Sequence, residues 1–290
     1  MNGILLIDKP RDWTSHDVVG KLRGILRERR IGHSGTLDPM ATGLLVVFIG
    51  RATRAVEFAE AHEKEYHAGL RLGMVTDTQD VTGTVLEQCD CSVTREELEA
   101  VLPRFRGEIQ QIPPMYSAIK VQGKKLYEIA RKGGEVERKP RPVTISKLEV
   151  TGEEHGNYLL DVVCSKGTYI RTLCHDIGGA LGVGGTMSAL RRVRAGQFSL
   201  ENAYTLEQVQ QAADAGRVEE LLLPVDALFS EYPAVTLTAK GEKRCRVGND
   251  YPVPETVAGT CRVYGGDGAF LALARAEQGI GKTIKSFYEV

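Results

Sequence analysis

The sequence lacks the features that anchor a chain in a membrane or that hold a small secreted fold together. No apolar run approaches the roughly 18 residues that a transmembrane helix needs. Residues 1–8 carry no basic leader, and an acidic residue interrupts their apolar run too early for a signal peptide. The six cysteines are scattered, which indicates reduced thiols and neither a disulfide framework nor a zinc site. We therefore expect a cytoplasmic protein that does not contact a membrane.

The sequence is equally poor in motifs for cofactors and metals. No segment has the P-loop form, and no serine stands in the Gly-x-Ser-x-Gly frame of a hydrolase nucleophile. The glycines of residues 178–185 follow a predicted helix, whereas a dinucleotide loop follows a strand, so they fit a helix cap better. No set of His, Cys and Asp has metal-ligand spacing. We expect a protein that uses no cofactor and no metal.

The net charge is only −1, but the charges are unevenly distributed. Residues 104–147 contain eleven Lys and Arg against four Glu, and residues 201–232 contain seven acidic residues against one Arg. A polyanion responds to the local field, so the basic stretch can bind phosphates although the whole chain is nearly neutral. A pair of solvated charged faces would look the same, so the pattern is compatible with a nucleic-acid partner without requiring one.

Within the basic stretch, residues 118–142 combine many cations with few apolar anchors. Such a composition suits a clamp that becomes ordered on a phosphate backbone, although a plain solvated insertion has it too. The candidate contacts to an RNA backbone are Lys120, Lys124, Lys125, Arg131 and Lys132.

Hydrophobic periodicity predicts strands and helices in alternation over the first 230 residues. Strands are expected at 3–8, 44–49, 64–73, 143–151 and 157–165, and helices after Ser15, over 51–61, 94–102 and 170–181, and after Thr205. In the helix that begins at residue 170, Arg171 lies away from the apolar face. From about residue 232, short strands alternate with turns, which predicts a small β-rich domain over 231–290 beside a main domain over 1–230.

Three further expectations concern connecting segments. Residues 74–84 are predicted to form a polar loop, with a short strand beginning only at residue 85. Ser15 is expected to cap the first long helix, and Pro103 to end the helix that begins near residue 94. Residues 188–194 form a second basic cluster.

One stretch, residues 32–45, is too irregular for a helix and too rich in glycine for an ordinary strand. It places Gly32, Gly35 and Gly43 around the dipeptide Asp38-Pro39, and an apolar run follows directly. The glycines permit positive φ or a close backbone approach, and the proline keeps Asp38 out of the helical region. An aspartate held in this way is a candidate nucleophile or base. On local chemistry alone, a turn in which Asp38 only caps its own backbone is the commoner role.

Residues 32–45 closely resemble the catalytic motif of the TruB family of tRNA pseudouridine-55 synthases, in its bacterial stand-alone type. The resemblance extends in the family's order over residues 3–228, and the tail resembles more weakly a small PUA-type RNA-binding module. One departure is Ser34, where many relatives have threonine, and the hydroxyl is retained. Further matches lie at residues 6–10, 13–15, 64–66, 72–73, 76–80, 111–118, 123–128, 164–173 and 190–192.

The resemblance implies an α+β fold, with a mixed, largely antiparallel sheet flanked by helices and a small C-terminal β-rich PUA-like domain. It implies that uridine-55 in the tRNA T-loop is flipped out of its stack and isomerised to pseudouridine without a cofactor. The N-glycosidic bond breaks, the uracil turns while bound, and C5 rejoins C1′. The partner implied is the T-stem-loop of tRNA, bound by a monomer that needs no protein partner.

The resemblance also assigns roles to individual residues. Asp38 would be the catalytic carboxylate, which adds to the base, adds to C1′ or removes a ribose proton. Arg171 would pair with Asp38 and keep it ionised, as an opposite charge within about 4–6 Å does. Tyr66 would stack on the flipped base and assist its deprotonation. Tyr169 and Leu190 would line the pocket, and His33 would hold the loop open once the uridine has left its stack.

Two other functions remain open at the level of sequence. A non-catalytic RNA-binding protein or tRNA-folding chaperone could use the same basic surface, but it would not require the set of Asp38, Tyr66 and Arg171. A member of the guide-RNA-dependent branch of the same superfamily would share the catalytic set. The basic insertion and the short tail favour the stand-alone type over that branch.

Overall fold

The computed structural model describes residues 1–121 and 123–288. The basic segment 118–142 and the tail 231–290 therefore each include positions outside the described residues, namely 122 in the first and 289 and 290 in the second.

The first 230 residues carry most of the strands. They are β1 (Gly3–Lys9), β2 (Ile31–Ser34), β3 (Thr42–Ile49), β4 (Lys64–Leu72), β5 (Met74–Thr76), β6 (Val85–Gln88), β7 (Gly107–Gln111), β8 (Lys120–Val121), β9 (Lys124–Lys125), β10 (Arg141–Glu154), β11 (Asn157–Cys164), β12 (Gly185–Ala195) and β13 (Phe198–Ser199).

Nine of these strands, as far as the described residues go, form one mixed sheet. Its main order is β1-β3-β12-β4-β11-β10-β7, with β2 paired to β3 and β13 paired to β12. Only β3 and β12 run parallel among these described pairs, where Arg191 and Arg192 lie beside Thr42 and Gly43. The pairs β5-β6 and β8-β9 are separate small hairpins. The predicted α+β class with a largely antiparallel sheet is confirmed.

The described residues form seven α-helices, of which the last lies among the C-terminal residues. They are α1 (Ser15–Leu26), α2 (Val56–Glu60), α3 (Arg95–Val101), α4 (Leu126–Ala130), α5 (Ile170–Ala180), α6 (Leu206–Asp214) and α7 (Ala239–Arg246). Apolar residues of α5 and α3 pack on β4, β10, β11 and β12 in one buried cluster. Those of α1 pack on β1, β2 and β3 in another. Strand β3 is buried on both faces, as its continuous apolar run predicts.

The structure corrects several local expectations. Helix α1 is capped by Thr14, whose hydroxyl accepts a hydrogen bond from the Asp17 amide at 3.0 Å. Ser15 turns inward instead. Residues 74–76 form a short strand rather than a loop, because they pair with residues 85–88. Beyond α3, residues 102–105 continue as a 3-10 turn that accommodates Pro103. The ends of segment 32–45 belong to β2 and β3, so only residues 35–41 are irregular.

A second sheet occupies the C-terminal residues. Its strands are β14 (Ala234–Thr236), β15 (Tyr251–Pro252), β16 (Gly259–Tyr264), β17 (Phe270–Glu277) and β18 (Ile280–Ser286), in the order β14-β16-β17-β18-β15. It packs on the larger body through a cluster of rings. Phe229 lies between Phe58, at 5.4 Å between ring centroids, and Phe287, at 5.9 Å, while Phe270 stacks on Phe287 at 5.1 Å.

Among the described residues, none of the helices combines the length and the apolar character that crossing a membrane requires.

Gly43 and Gly32 make a matched pair for testing the backbone of segment 32–45. Gly43 has φ +97°, and a Cβ built there would lie 2.3 Å from the Arg192 carbonyl oxygen. At Gly32 a Cβ would meet side chains only at 3.7 Å. We expect Gly43→Ala to lower the free energy of unfolding by more than about 2 kcal/mol and Gly32→Ala to change it by less than about 1 kcal/mol. Urea denaturation of both variants checks this, and equal losses would contradict it.

Candidate active site

The loop that carries Asp38 is held at both sides of the aspartate. Leu37 and Met40 are buried in the apolar cluster beneath α5. The Ser15 hydroxyl accepts a hydrogen bond from the Leu37 amide at 3.0 Å and donates to the Leu37 carbonyl at 3.3 Å. The Lys9 ammonium, which is fully buried, donates to the Pro39 carbonyl at 3.2 Å. The backbone around Asp38 is therefore fixed by contacts that leave its carboxylate free to point elsewhere.

The Asp38 carboxylate points to Arg171. Nε of the arginine lies 2.9 Å from Oδ2 and Nη2 lies 3.1 Å from Oδ1, so the pair is bidentate. Arg171 is 5% exposed and Asp38 is 35% exposed, so one side of the carboxylate faces solvent. The Asp38 carbonyl accepts from the Ala41 amide at 3.0 Å, which is the bond of a tight turn. Within the described residues, however, no backbone amide donates to its carboxylate, so Asp38 forms a turn without capping it.

Arg171 brings two further segments, residues 78–80 and the segment of Tyr116, to this pair. Its Nη1 donates to the Thr78 carbonyl at 3.1 Å, and its Nη2 donates to the Tyr116 carbonyl at 2.9 Å. A second carboxylate, that of Asp80, lies 3.9 Å from Nε and is 7% exposed. The Thr78 hydroxyl donates to Asp80 at 2.9 Å and the Thr82 amide donates to it at 2.9 Å.

Two conclusions from the sequence change here. Arg171 does lie away from the apolar face of α5, yet it is buried, because residues 78–80 and 116 cover that side of the helix. Asp80 was not assigned a role, although it stands in one of the matching motifs. The signal that could have found it is a run of hydroxyl and carboxyl residues over 76–80, which is unusual next to a buried strand.

The surroundings set the charge state of Asp38. Burial raises the pKa of the Asp38 carboxyl, the Arg171 guanidinium lowers it, and the neighbouring Asp80 carboxylate raises it. The charges of Arg171 and Asp80 thus shift the pKa of Asp38 in opposite directions.

Tyr66 and Leu190 lie in the same apolar cluster as Leu37 and Met40. Tyr66 is on β4, where Tyr66, Ala68 and Leu70 are buried and His67 is exposed, the alternation of a strand with one buried face. Burial raises the pKa of Tyr66, and the charge of the Arg192 guanidinium opposes that rise. Leu190 is on the neighbouring strand β12, opposite Ala68. The structure thus places Tyr66 and Leu190 in one cluster with Leu37, which precedes Asp38, and Ile170, which precedes Arg171.

Tyr169 immediately precedes α5. The buried side chain of Gln111 holds its backbone from both sides, accepting from the Tyr169 amide at 2.9 Å and donating to its carbonyl at 3.1 Å. Burial raises the pKa of the Tyr169 hydroxyl, and the nearby Ser117 hydroxyl and Arg171 guanidinium oppose that rise. Tyr169 is therefore fixed two residues before Arg171 by the end of β7.

His33 lies on β2, opposite Val47, one residue before Ser34 ends the strand. Its ring meets the ring of His16 edge-on at 5.8 Å. Burial, with the nearby His16 and Arg192, lowers the pKa of His33 to about 4, so the imidazole is neutral at physiological pH. Its Nδ1 is buried and has no hydrogen-bond partner within the residues described.

The basic segment 118–142 forms the hairpin β8-β9 and helix α4, anchored by the buried Leu126. The Tyr127 ring lies under the Lys125 ammonium at 5.4 Å and the Arg131 guanidinium at 5.3 Å. No acidic side chain forms an ion pair with any of the candidate cations in the described part of the chain. Those candidates, exposed except for the half-buried Lys125, are Lys120, Lys124, Lys125, Arg131 and Lys132.

The second basic cluster, residues 188–194, is not a continuous basic surface. It is the C-terminal half of β12, so its cations alternate between the two faces of the sheet. Arg191 pairs with Asp8 at 2.8 Å and Arg194 with Glu65 at 2.9 Å, whereas Arg192 is buried on the opposite face. Across the described ranges, no group of three or more His, Cys, Asp or Glu is arranged to hold a metal.

Comparison with known proteins finds the same family over most of the chain. The model for "TruB family pseudouridylate synthase (N terminal domain)" matches residues 23–170, and the model for "tRNA pseudouridylate synthase B C-terminal domain" matches residues 171–230. The second match covers α5, β12 and α6 of the large body and stops before the small sheet.

Curated relatives are similar over nearly the whole length. The tRNA pseudouridine synthase B of Azoarcus sp. (strain BH72) is 46% identical over 279 residues, which is 96% of this chain and 92% of that protein. The protein of the same name from Alkaliphilus oremlandii (strain OhILAs) is 49% identical over 249 residues, covering 86% of this chain and 82% of that protein.

Solved structures share the fold. A Cbf5-Nop10-Gar1 complex contains a chain with a TM-score of 0.76 and 28% identity, covering 99% of this chain and 85% of that one. An H/ACA RNP bound to a substrate RNA that contains 2'-deoxyuridine gives a TM-score of 0.75 and 26% identity, with the same coverage. With two family models in tandem and relatives above 40% identity over most of the chain, the protein belongs to the TruB family of pseudouridylate synthases.

Proposed function

We propose that the protein isomerises a uridine in the T-loop of tRNA, uridine-55, to pseudouridine, with Asp38 as the catalytic carboxylate. The N1–C1′ bond breaks, the uracil turns within the site, and C5 forms the new bond to C1′. C5 loses a proton and N1 gains one, so the atoms balance without any external reactant. The observation that carries this proposal is the partly exposed carboxylate of Asp38, held bidentate by a buried arginine in a member of this family.

The charge of the site favours an enzyme over a protein that only binds RNA. A carboxylate exposed beside bound RNA repels phosphates and weakens affinity, so binding alone gives no reason to hold one there. Arg171 directs its donors to Asp38 and to the Thr78 and Tyr116 carbonyls, which leaves it poorly placed to bind a phosphate. The pair is arranged to orient Asp38, as a catalytic carboxylate requires.

The apolar surface around Asp38 suits a flipped base. Extruding a base from folded RNA costs a few kcal/mol, which stacking on aromatic and apolar side chains offsets. Tyr66 and Leu190 lie with Met40 in the cluster beside Asp38, and Tyr169 precedes the helix that carries Arg171. We assign the base-stacking role to Tyr66 and the lining of the pocket to Leu190 and Tyr169. His33, a neutral ring on the strand that precedes the Asp38 loop, would hold the T-loop open once the uridine has left its stack.

The proposal extends to how the protein works as a whole. Residues 1–230 would form the catalytic domain, with the cations of 118–142 gripping the RNA backbone, and 231–290 a PUA-like RNA-binding domain. The chain would act as a monomer in the cytoplasm, where its six free thiols stay reduced. It would need neither a guide RNA nor a protein partner, since its basic segment and its active site lie on one chain. Purified protein acting on a free T-loop hairpin tests this directly.

The role of Asp38 is tested by Asp38→Asn. We expect pseudouridine formation on a T-loop hairpin to fall by at least roughly 10²–10³-fold, because the amide can neither add to the nucleotide nor accept its proton. The dissociation constant of the hairpin should change by less than about threefold, since interactions with phosphates set it. Nucleoside analysis and filter binding measure the two quantities.

Asp12→Asn is the matched control, because Asp12 is an exposed aspartate whose amide bonds to the Pro39 carbonyl at 2.8 Å in the same loop. It should keep wild-type activity. Full activity in Asp38→Asn would remove the catalytic assignment. Binding by the wild type without any pseudouridine would show instead that the protein is not the enzyme proposed.

The charges around Asp38 predict opposite pH shifts in two variants. The active form needs an ionised Asp38, so the rate falls as pH drops through its pKa, which burial raises above the ordinary value near 4. Arg171→Leu removes the charge that lowers this pKa, so the acidic limb of the single-turnover rate should move to higher pH. Asp80→Asn removes a charge that raises it, so the limb should move to lower pH. Limbs that stay in place, or that move together, would contradict this electrostatic account.

The basic segment is tested through the salt dependence of RNA binding. The double variant Lys124→Glu, Lys125→Glu should weaken binding and reduce the slope of log K against log salt by about two, because two phosphates are no longer neutralised by lysine. Arg217→Glu is the control, because Arg217 is an exposed cation within the acidic stretch 201–232. An unchanged slope in the double variant would show that the segment does not bind phosphates.

A further inference from the structure

Arg192 is the largest of the fully buried side chains, with 1% of its surface exposed. It lies on β12, and its guanidinium reaches across to the loop of Asp38. Nε donates to the Leu44 carbonyl at 2.7 Å, and Nη2 donates to the Gly35 carbonyl at 2.9 Å. These two carbonyls stand at the two ends of the loop. The Arg192 side chain therefore links the residues that begin and follow the loop through hydrogen bonds to their carbonyls.

This guanidinium has no carboxylate partner within ion-pair distance among the described residues. Its neighbours on the same strand differ, since Arg191 pairs with Asp8 and Arg194 with Glu65 on the other face of the sheet. A buried charge is costly, and an apolar residue of similar volume often stabilises a core as well or better. Packing alone is thus a poor reason for an arginine at this place.

The backbone of the loop is shaped around Arg192. A Cβ at Gly35, where φ is +67°, would lie 3.1 Å from Nη1 of Arg192. A Cβ at Gly43 would lie 2.3 Å from the Arg192 carbonyl oxygen and 2.8 Å from its amide nitrogen. At both glycines with positive φ in this segment, the absence of a side chain lets Arg192 come close to the backbone. The loop therefore packs directly against β12.

Arg192 also contacts the other side chain that the proposed reaction uses. It lies opposite Tyr66 in the antiparallel pairing of β12 with β4. The guanidinium lies near enough to the Tyr66 side chain for its charge to oppose the effect of burial on the pKa of that hydroxyl. Arg192 therefore contacts both the loop that carries Asp38 and the strand that carries Tyr66.

We propose that Arg192 is a positioning residue of this enzyme, which fixes the Asp38 loop and the Tyr66 hydroxyl in register without touching the nucleotide. The proposal rests on the proposed function, because it assigns Asp38 and Tyr66 their roles. Arg171 orients the carboxylate itself, and Arg192 positions the loop that presents it. A displacement of about 1 Å at a reacting group can lower a rate by roughly 10²-fold.

The test compares Arg192→Lys and Arg192→Met with Arg194→Lys, a matched control on the same strand and opposite face. Lysine keeps the charge but cannot reach the Gly35 and Leu44 carbonyls together, and methionine removes the charge while filling the volume. Three quantities are measured for each variant: the single-turnover rate with saturating enzyme, the dissociation constant of the hairpin, and amide hydrogen exchange over residues 35–44. All measurements are made well below the unfolding temperature of each variant.

For both Arg192 variants we expect a rate lowered by roughly 10²-fold, faster exchange of the loop amides, and a dissociation constant within about threefold of wild type. Arg194→Lys should change none of the three. Wild-type rates in Arg192→Lys would overturn the proposal, as would a loss fully explained by weaker RNA binding or by the unfolded fraction. If the wild type forms no pseudouridine, the proposed function fails, and the exchange data alone decide whether Arg192 holds the loop.

Discussion

The bidentate pair of Arg171 with Asp38 is the interaction on which the rest of the site depends. It joins a loop after β2 to the first turn of α5, and the same guanidinium ties in the carbonyls of Thr78 and Tyr116. Breaking one partner of a buried pair leaves an uncompensated charge and typically costs about 3–5 kcal/mol. The group that orients the Asp38 carboxylate is thus also the junction of four chain segments. Activity and local stability cannot be changed independently at this point.

The site is built between two buried arginines with different partners. Arg171 is matched by carboxylates, and it controls the charge and orientation of Asp38. Arg192 is matched by backbone carbonyls, and it controls where the loop lies. Because neither guanidinium can lose its proton in a protein, this frame keeps its charge at any pH where the chain is folded. Other groups of the site do titrate, among them the carboxyl group of Asp38 and the imidazole of His33.

Periodicity predicted the frame of the molecule well. The alternation in β4 identified the buried face that carries Tyr66, and the apolar run after Gly43 identified β3, because burial on a sheet imposes these patterns. The same reasoning could not show that Arg171 is buried, nor that the cations of residues 188–194 divide between the two faces of the sheet. A pattern reports which face meets the core, but distant segments such as 76–82 and 111–117 decide what covers the other face. The likeness to the family supplied Arg171, whereas Asp80 and Arg192 became visible only through their contacts.

The ring cluster of Phe58, Phe229, Phe270 and Phe287 has a consequence for the kind of substrate that fits. Domains joined by a polar interface move relative to each other, whereas these two sheets share a continuous apolar core. The small sheet and the Asp38 loop are therefore separated by a constant span. An RNA that touches both must present its surfaces at that spacing, which an unfolded strand of the same sequence does not. The enzyme would therefore select its substrate by the folded shape of the RNA as well as by the base on which it acts.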